Sequence, residues 1–154
     1  MLKIALTTLP LLFAQFSMAA GAQKFENLKA LQGSNFYRLT CSSVDAEAQV
    51  HVNTVIQAGT VKEMQVIVVF PSESLNVISF SKKDAAKLTA NLGSKMLTVD
   101  GSRPGSYYAE DVSLEIVDGP QGLSGRFQYD NGDGMALDRQ VRCGASNYIL
   151  NPRN

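Results

Sequence analysis

Apolar and polar residues alternate with a period of two over most of the chain, and that rhythm predicts strands. Tyr37, Leu39 and Cys41 alternate with Phe36, Arg38 and Thr40, which gives a first strand over about 35–42. Val50, Val52, Thr54 and Ile56 then face one way, with Gln49, His51, Asn53 and Gln57 facing the other, the pattern of a strand with one wet face. Asp45 to Glu47 supplies the turn between these two strands, and Ala58-Gly59 breaks the second from a third over 61–70. Val66 to Phe70 is apolar without alternation, so burial on both faces is expected there. Pro71 stops the run, and Leu75 to Phe80 reads as a fourth strand.

The rhythm changes at Ser81–Gly93. Ser81 can cap a helix, Asp84 lies in its first turn, Ala85, Leu88 and Leu92 share a helical face, and Gly93 can end it. One short helix near 81–93 is the expectation. A shorter amphipathic turn is expected over Lys24–Gln32, where Phe25, Leu28 and Leu31 recur before Gly33. Met96–Asp100 makes a fifth strand, and Pro104-Gly105 fits the centre of a type II turn. A sixth strand follows over Tyr107–Asp118, a turn at Gly119–Gly122, and a seventh strand around Phe127 and Tyr129. Asp130-Asn131-Gly132-Asp133-Gly134 is a hairpin signal, after which Met135–Cys143 returns as the eighth.

Eight strands with one short helix predict a mainly β fold, an antiparallel barrel or sandwich. Two cysteines, Cys41 and Cys143, lie near the two ends of this β region, and an even count in an exported chain reads as a disulfide. The bond would close a loop of about 100 residues, for which chain entropy gives roughly 4–5 kcal/mol. It would also make the first and last strands neighbours, and closure into a barrel then removes both sheet edges.

Residues 1–22 carry Lys3, an apolar run from Ile4 to Phe16 and small residues from Ser17 to Ala22, the zones of a signal peptide with cleavage between 19 and 22. Residues 23–154 then form a single β domain, periplasmic or secreted. Fourteen basic residues balance fourteen acidic ones, so no electrostatic footprint for nucleic acid is present and no stable membrane insertion is expected.

Candidate chemistry is sparse. The Asp130–Gly134 turn holds ligand-type residues for calcium, but Gly132 and Gly134 fall where an EF-hand needs oxygen donors. His51 is the single histidine, on the polar face of its strand, and zinc would need more ligands than one His and two paired cysteines supply. No metal or cofactor is expected. Glu110, Asp111, Glu115 and Asp118 are the carboxylates from which a glycosidase-type pair could be drawn. Arg139 shares a strand face with Leu137, Val141 and Cys143, so it points inward unless a bulge shifts the alternation. Arg103, Tyr107 and Tyr108 cluster beside the Pro-Gly turn, and Tyr and Arg are the side chains that dominate binding hot spots. These three are the candidate binding residues. The expected function is that of a non-enzymatic exported binding protein that recognises a protein or envelope component. The alternatives are a small secreted hydrolase using carboxylates and a β-barrel carrier of a small apolar ligand.

Overall fold

The computed structural model describes residues 23–44, 49–70 and 75–147. The expected leader over 1–22, the expected turn at Asp45–Glu47 and Pro71 lie outside the described residues. In chain order the elements are β1 (Lys24–Phe25), α1 (Leu28–Gln32), β2 (Phe36–Ser43), β3 (Gln49–Gln57), β4 (Thr60–Val69) and β5 (Leu75–Ser81). A single 3-10 turn, Lys82–Asp84, leads into β6 (Lys87–Leu92), β7 (Leu97–Pro104), β8 (Ala109–Gly119), β9 (Gly122–Asp130) and β10 (Ala136–Ser146). All pairings are antiparallel, in the order β5-β4-β3-β2-β10-β9-β8-β7-β6, with the short β1 added to β10. The sheet curls into a nearly closed barrel.

Closure begins where the cysteines predicted it. Cys41 on β2 stands directly opposite Cys143 on β10, and the two form a disulfide with Cα atoms 4.0 Å apart. That is the close spacing of a pair that shares no ladder hydrogen bonds, the position where two facing side chains can meet. The bridge thus staples the first long strand to the last, across 102 residues of sequence.

Alternation fills the interior. Tyr37, Leu39 and Cys41 on β2, Val50, Val52 and Ile56 on β3, and Met64, Val66 and Val68 on β4 join Leu97 and Val99 on β7 in one buried apolar cluster. Val112, Leu114, Ile116 and Phe127 complete it from β8 and β9. One end is plugged by α1, whose Leu28 and Leu31 are fully buried. The plug is tied on both sides, since Leu28 donates its amide to Asp118 Oδ1 at 2.8 Å and Gln32 Nε2 donates to the Gly93 carbonyl at 3.0 Å.

Four expectations are corrected. The helix near 81–93 is instead one 3-10 turn followed by β6. Ser81 does cap a turn, accepting the Lys83 amide at 3.2 Å, but Ala85 then enters the left-handed region with φ of 54° and ends it. Beyond it Leu88, Ala90 and Leu92 face inward while Lys87, Thr89 and Asn91 face out, a strand pattern with Gly93 in the hairpin turn to β7. Counting β1 and β6, the sheet holds ten strands rather than eight. The uninterrupted apolar run of β4 is not covered on both faces. Val66 and Val68 are buried inside, whereas Ile67 and Val69 lie on the outer face, half-buried. Pro104-Gly105 does not form a type II turn either, because Gly105 lacks positive φ; a Cβ there would overlap the Tyr108 carbonyl oxygen, which is what excludes other residues.

The barrel's seam lies between β5 and β6, the two ends of the sheet order. Ala86 donates its amide to the Ser81 carbonyl at 3.1 Å, and Arg103 Nη1 donates to the Ser79 carbonyl at 2.6 Å. Beneath them Phe80 is fully buried and approaches β7 at Gly101, where an added Cβ would stand 2.7 Å from Leu88 Cδ2 and 2.8 Å from Val112 Cγ1. One main-chain bond, the Arg103 side chain and the packing of Phe80 therefore hold the seam where a strand ladder would otherwise run.

Candidate functional site

The three candidate binding residues come together at one end of the barrel. Arg103, Tyr107 and Tyr108 line a hollow of about 390 Å³, together with Ala85, Lys87 and Pro104. Pro104 closes β7, and the return is pinned by the Gly105 amide, which donates to the Tyr108 carbonyl at 2.9 Å. A second turn supports it from the side. Gly132, at φ of 66°, packs so closely on Tyr108 that a Cβ there would lie 2.5 Å from the tyrosine Cβ. That turn is itself set by side chains, with Asp130 Oδ1 accepting from the Gly132 amide and Asn131 Oδ1 from the amides of Asp133 and Met135. The Asp-Asn-Gly residues are spent on turn geometry. Within this frame Tyr107 is 83% exposed and Tyr108 62% exposed.

Arg103 plays a different part from the tyrosines. It follows Val99 and Gly101 on the inward face of β7, with its guanidinium 5.2 Å from the centre of the Phe80 ring. Glu110 holds it from β8, through Nε to Oε2 at 2.9 Å and Nη2 to Oε2 at 2.8 Å. Tyr129 donates its hydroxyl to the same Oε2 at 3.0 Å. Burial, and then the bond and charge of Glu110, push the Tyr129 phenol well above its ordinary range. The cation is thus compensated inside the barrel wall, and the rim presents two phenols and the Lys87 ammonium.

Lys87 was missed by sequence reasoning because it was placed within a helix. The alternation of Lys87, Thr89 and Asn91 against Leu88, Ala90 and Leu92 is the signal that locates it on an outward strand face.

Lys87 and Ser102 also border a second, larger cleft of about 750 Å³ over the outer face of β6 to β10, floored by Asp100, Asp111, Asp130 and Asp138 among others. Asp111 and Asp130 are directly opposed across β8 and β9, with Cβ atoms about 5 Å apart by strand geometry. Asp100 accepts from Ser113 Oγ at 2.7 Å, and Asp138 is gripped by both Nε and Nη2 of Arg126. The carboxylates singled out from the sequence do not pair with one another. Glu110 and Asp118 both face inward but lie eight residues apart on one strand, about 27 Å, and each is bonded elsewhere. Asp111 and Glu115 face outward about 14 Å apart, beyond the 5–10 Å that glycosidic cleavage uses.

His51 Nδ1 lies 2.9 Å from Ser42 Oγ, its cross-strand neighbour, and on its other side faces Ile67. Arg139 does point inward, since the β9–β10 register runs without a shift and sets it opposite Phe127; its Nη1 donates to the Asp138 carbonyl at 2.9 Å. Among the described residues no group of three or more His, Cys, Asp or Glu side chains is placed to hold a metal ion, and no helix is long and apolar enough to cross a membrane. Comparison of the chain with models of known families, with curated proteins and with solved structures finds no match.

Proposed function

We propose that this is an exported, non-enzymatic binding protein that takes a protein or envelope component on the rim formed by Tyr107, Tyr108 and Lys87. The observation that carries the reading is the pair of tyrosines, largely exposed yet fixed on a turn clamped by its own backbone and by Gly132. Rigid aromatic side chains with a polar tip bury a large area on binding while losing little conformational freedom. Export rests on the leader pattern of 1–22, and a disulfide fits an oxidising compartment.

The test is capture from native envelope extract by the chain from residue 23 onward, compared with Tyr107→Ala/Tyr108→Ala. Two lost hot-spot residues at about 1–2 kcal/mol each weaken capture by roughly 30-fold or more. Arg103 stays untouched, because its loss would disturb the fold. Undiminished capture by a double variant of unchanged melting temperature removes the rim from the reading.

A second reading, a hydrolase working through carboxylates, is favoured by one feature, the opposed Asp111 and Asp130 in the larger cleft. It predicts that any glycan-cleaving activity of the wild-type chain is abolished by Asp111→Asn.

A further inference from the structure

We infer that β5 is a self-association edge, at which two copies of this chain pair antiparallel about a two-fold axis through Asn76. The inference is independent of the tyrosine rim and rests on the far side of the seam.

β5 is paired on one side only, to β4. The Ser79 and Ser81 carbonyls turn to the open side, where Arg103 Nη1 and the Ala86 amide meet them. Main-chain groups alternate in direction along a strand, so the N–H and C=O of Val77 and Leu75 turn the same way. There the seam has no bridging side chain among the described residues, and these four groups form an open edge. The side chains around them are aliphatic. Leu75 is 63% exposed and Val77 47% exposed, and register sets Val69 and Ile67 of β4 beside them on the same outer face. This is the stretch whose sequence asked for cover on both faces and has it on one.

Charge selects the occupant. Leu75 to Ser81 contains no charged residue, so the edge meets its own copy with no like charges opposed. The other end of the sheet, β6, follows Lys82 and Lys83 and carries Lys87 on its outer face, so it is the charged edge of the two. A two-fold axis at Asn76 puts Leu75 of one copy opposite Val77 of the other. Because these residues turn their main-chain groups outward, both pairs are hydrogen-bonded, which gives four ladder bonds. Ile67, Val69, Leu75 and Val77 of the two copies then form one continuous apolar stripe. So short a seam belongs at the small end of the interface range, which makes the dimer weak and reversible.

Geometry also supplies a register-specific probe. Asn76 would face its own copy as a non-hydrogen-bonded pair, the same relation that Cys41 bears to Cys143. Sedimentation velocity of the chain from residue 23 onward, over a hundredfold concentration range, is expected to show a dimer fraction that rises with concentration. Val77→Lys, an outward substitution on an edge, is expected to remove it at unchanged melting temperature, and Leu75→Glu serves if the first variant folds poorly. Asn76→Cys is expected to form a covalent dimer on mild oxidation, while Asn91→Cys on β6 does not. A chain that stays monomeric throughout, a dimer indifferent to Val77→Lys, or an Asn76→Cys variant that does not crosslink would each overturn the inference.

Discussion

Replacing Glu110 by Ala removes the one acceptor shared by Arg103 and Tyr129, and so tests whether side chains hold the seam between β5 and β6. Tyr129 is 5% exposed, and its hydroxyl would be left without Glu110 at about 1–3 kcal/mol. The ion pair is partly screened, with side chains 21% and 16% exposed, so it is assigned about 1 kcal/mol, the upper end for a surface pair. The sum is about 2–4 kcal/mol, or roughly 8–16 °C in Tm for a domain of this size. Glu110→Gln keeps an acceptor and the shape, and is expected to lose about 1 kcal/mol. The assay is thermal and urea unfolding followed by circular dichroism. A cycle with Tyr129→Phe separates the two parts, because the double variant leaves no hydroxyl stranded and should recover about 1 kcal/mol of the summed losses. Glu110→Ala within about 0.5 kcal/mol of the parent chain would show that the network does not hold the seam.

Burial raises the phenols of Tyr37 and Tyr129, so the folded chain keeps protons that the unfolded chain loses at about pH 10. The stability these two phenols contribute is therefore complete below about pH 10 and falls as pH rises above it; phenolate absorbance should show two tyrosines ionising only as the chain unfolds. Cys41→Ala/Cys143→Ala frees a loop spanning 102 residues of sequence, worth about 4.7 kcal/mol in chain entropy, and is expected to lower Tm by about 20 °C in a thermal melt. Gly101→Ala presses on the Leu88 and Val112 side chains and should lose about 1–3 kcal/mol. Gly125→Ala is expected to lose more, since its Cβ would overlap the Glu115 carbonyl oxygen in the β8–β9 ladder; equal melting temperatures for the two variants would contradict that ranking.

The alternating stretches, the two hairpin turns after β8 and β9, and the partnership of Cys41 with Cys143 were legible because each rests on local chemistry or on simple counting. Ser81–Gly93 was not, for a geometric reason. Residues four apart share a face in a helix and in a strand alike, so Leu88 and Leu92 could not separate the two. The third member decides it: Ala85 completes a helical face and Ala90 a strand face, and both are alanine. The cap at Ser81 is real but starts a turn that Ala85 ends at once. β1 escaped notice because two residues carry no period, and it exists only as an extension of the sheet along β10. At the candidate site the cluster of Arg103, Tyr107 and Tyr108 was legible from its turn, whereas the inward direction of Arg103 was not, because the strand read as ending at Asp100 runs on to Pro104 and sets Arg103 on the face of Leu97, Val99 and Gly101.

That direction settles how the rim can be tested. An arginine beside two tyrosines reads as a third contact residue, yet this one bridges Ser79 on β5 to Glu110 on β8 and lies against Phe80. Arg103→Ala would strip the Phe80 ring, release the Ser79 carbonyl and leave Glu110 without its cation, so a loss of capture by that variant would report on the wall beneath the rim. The tyrosine side chains stand in solvent and can be removed with the seam intact. Arg103→Lys separates the two roles, because it keeps a positive charge near Glu110 but cannot reach two partners with a fixed fork. It is expected to melt earlier than the parent chain and, below its melting transition, to capture as well; a variant that melts normally and fails to capture would assign Arg103 to the binding surface after all.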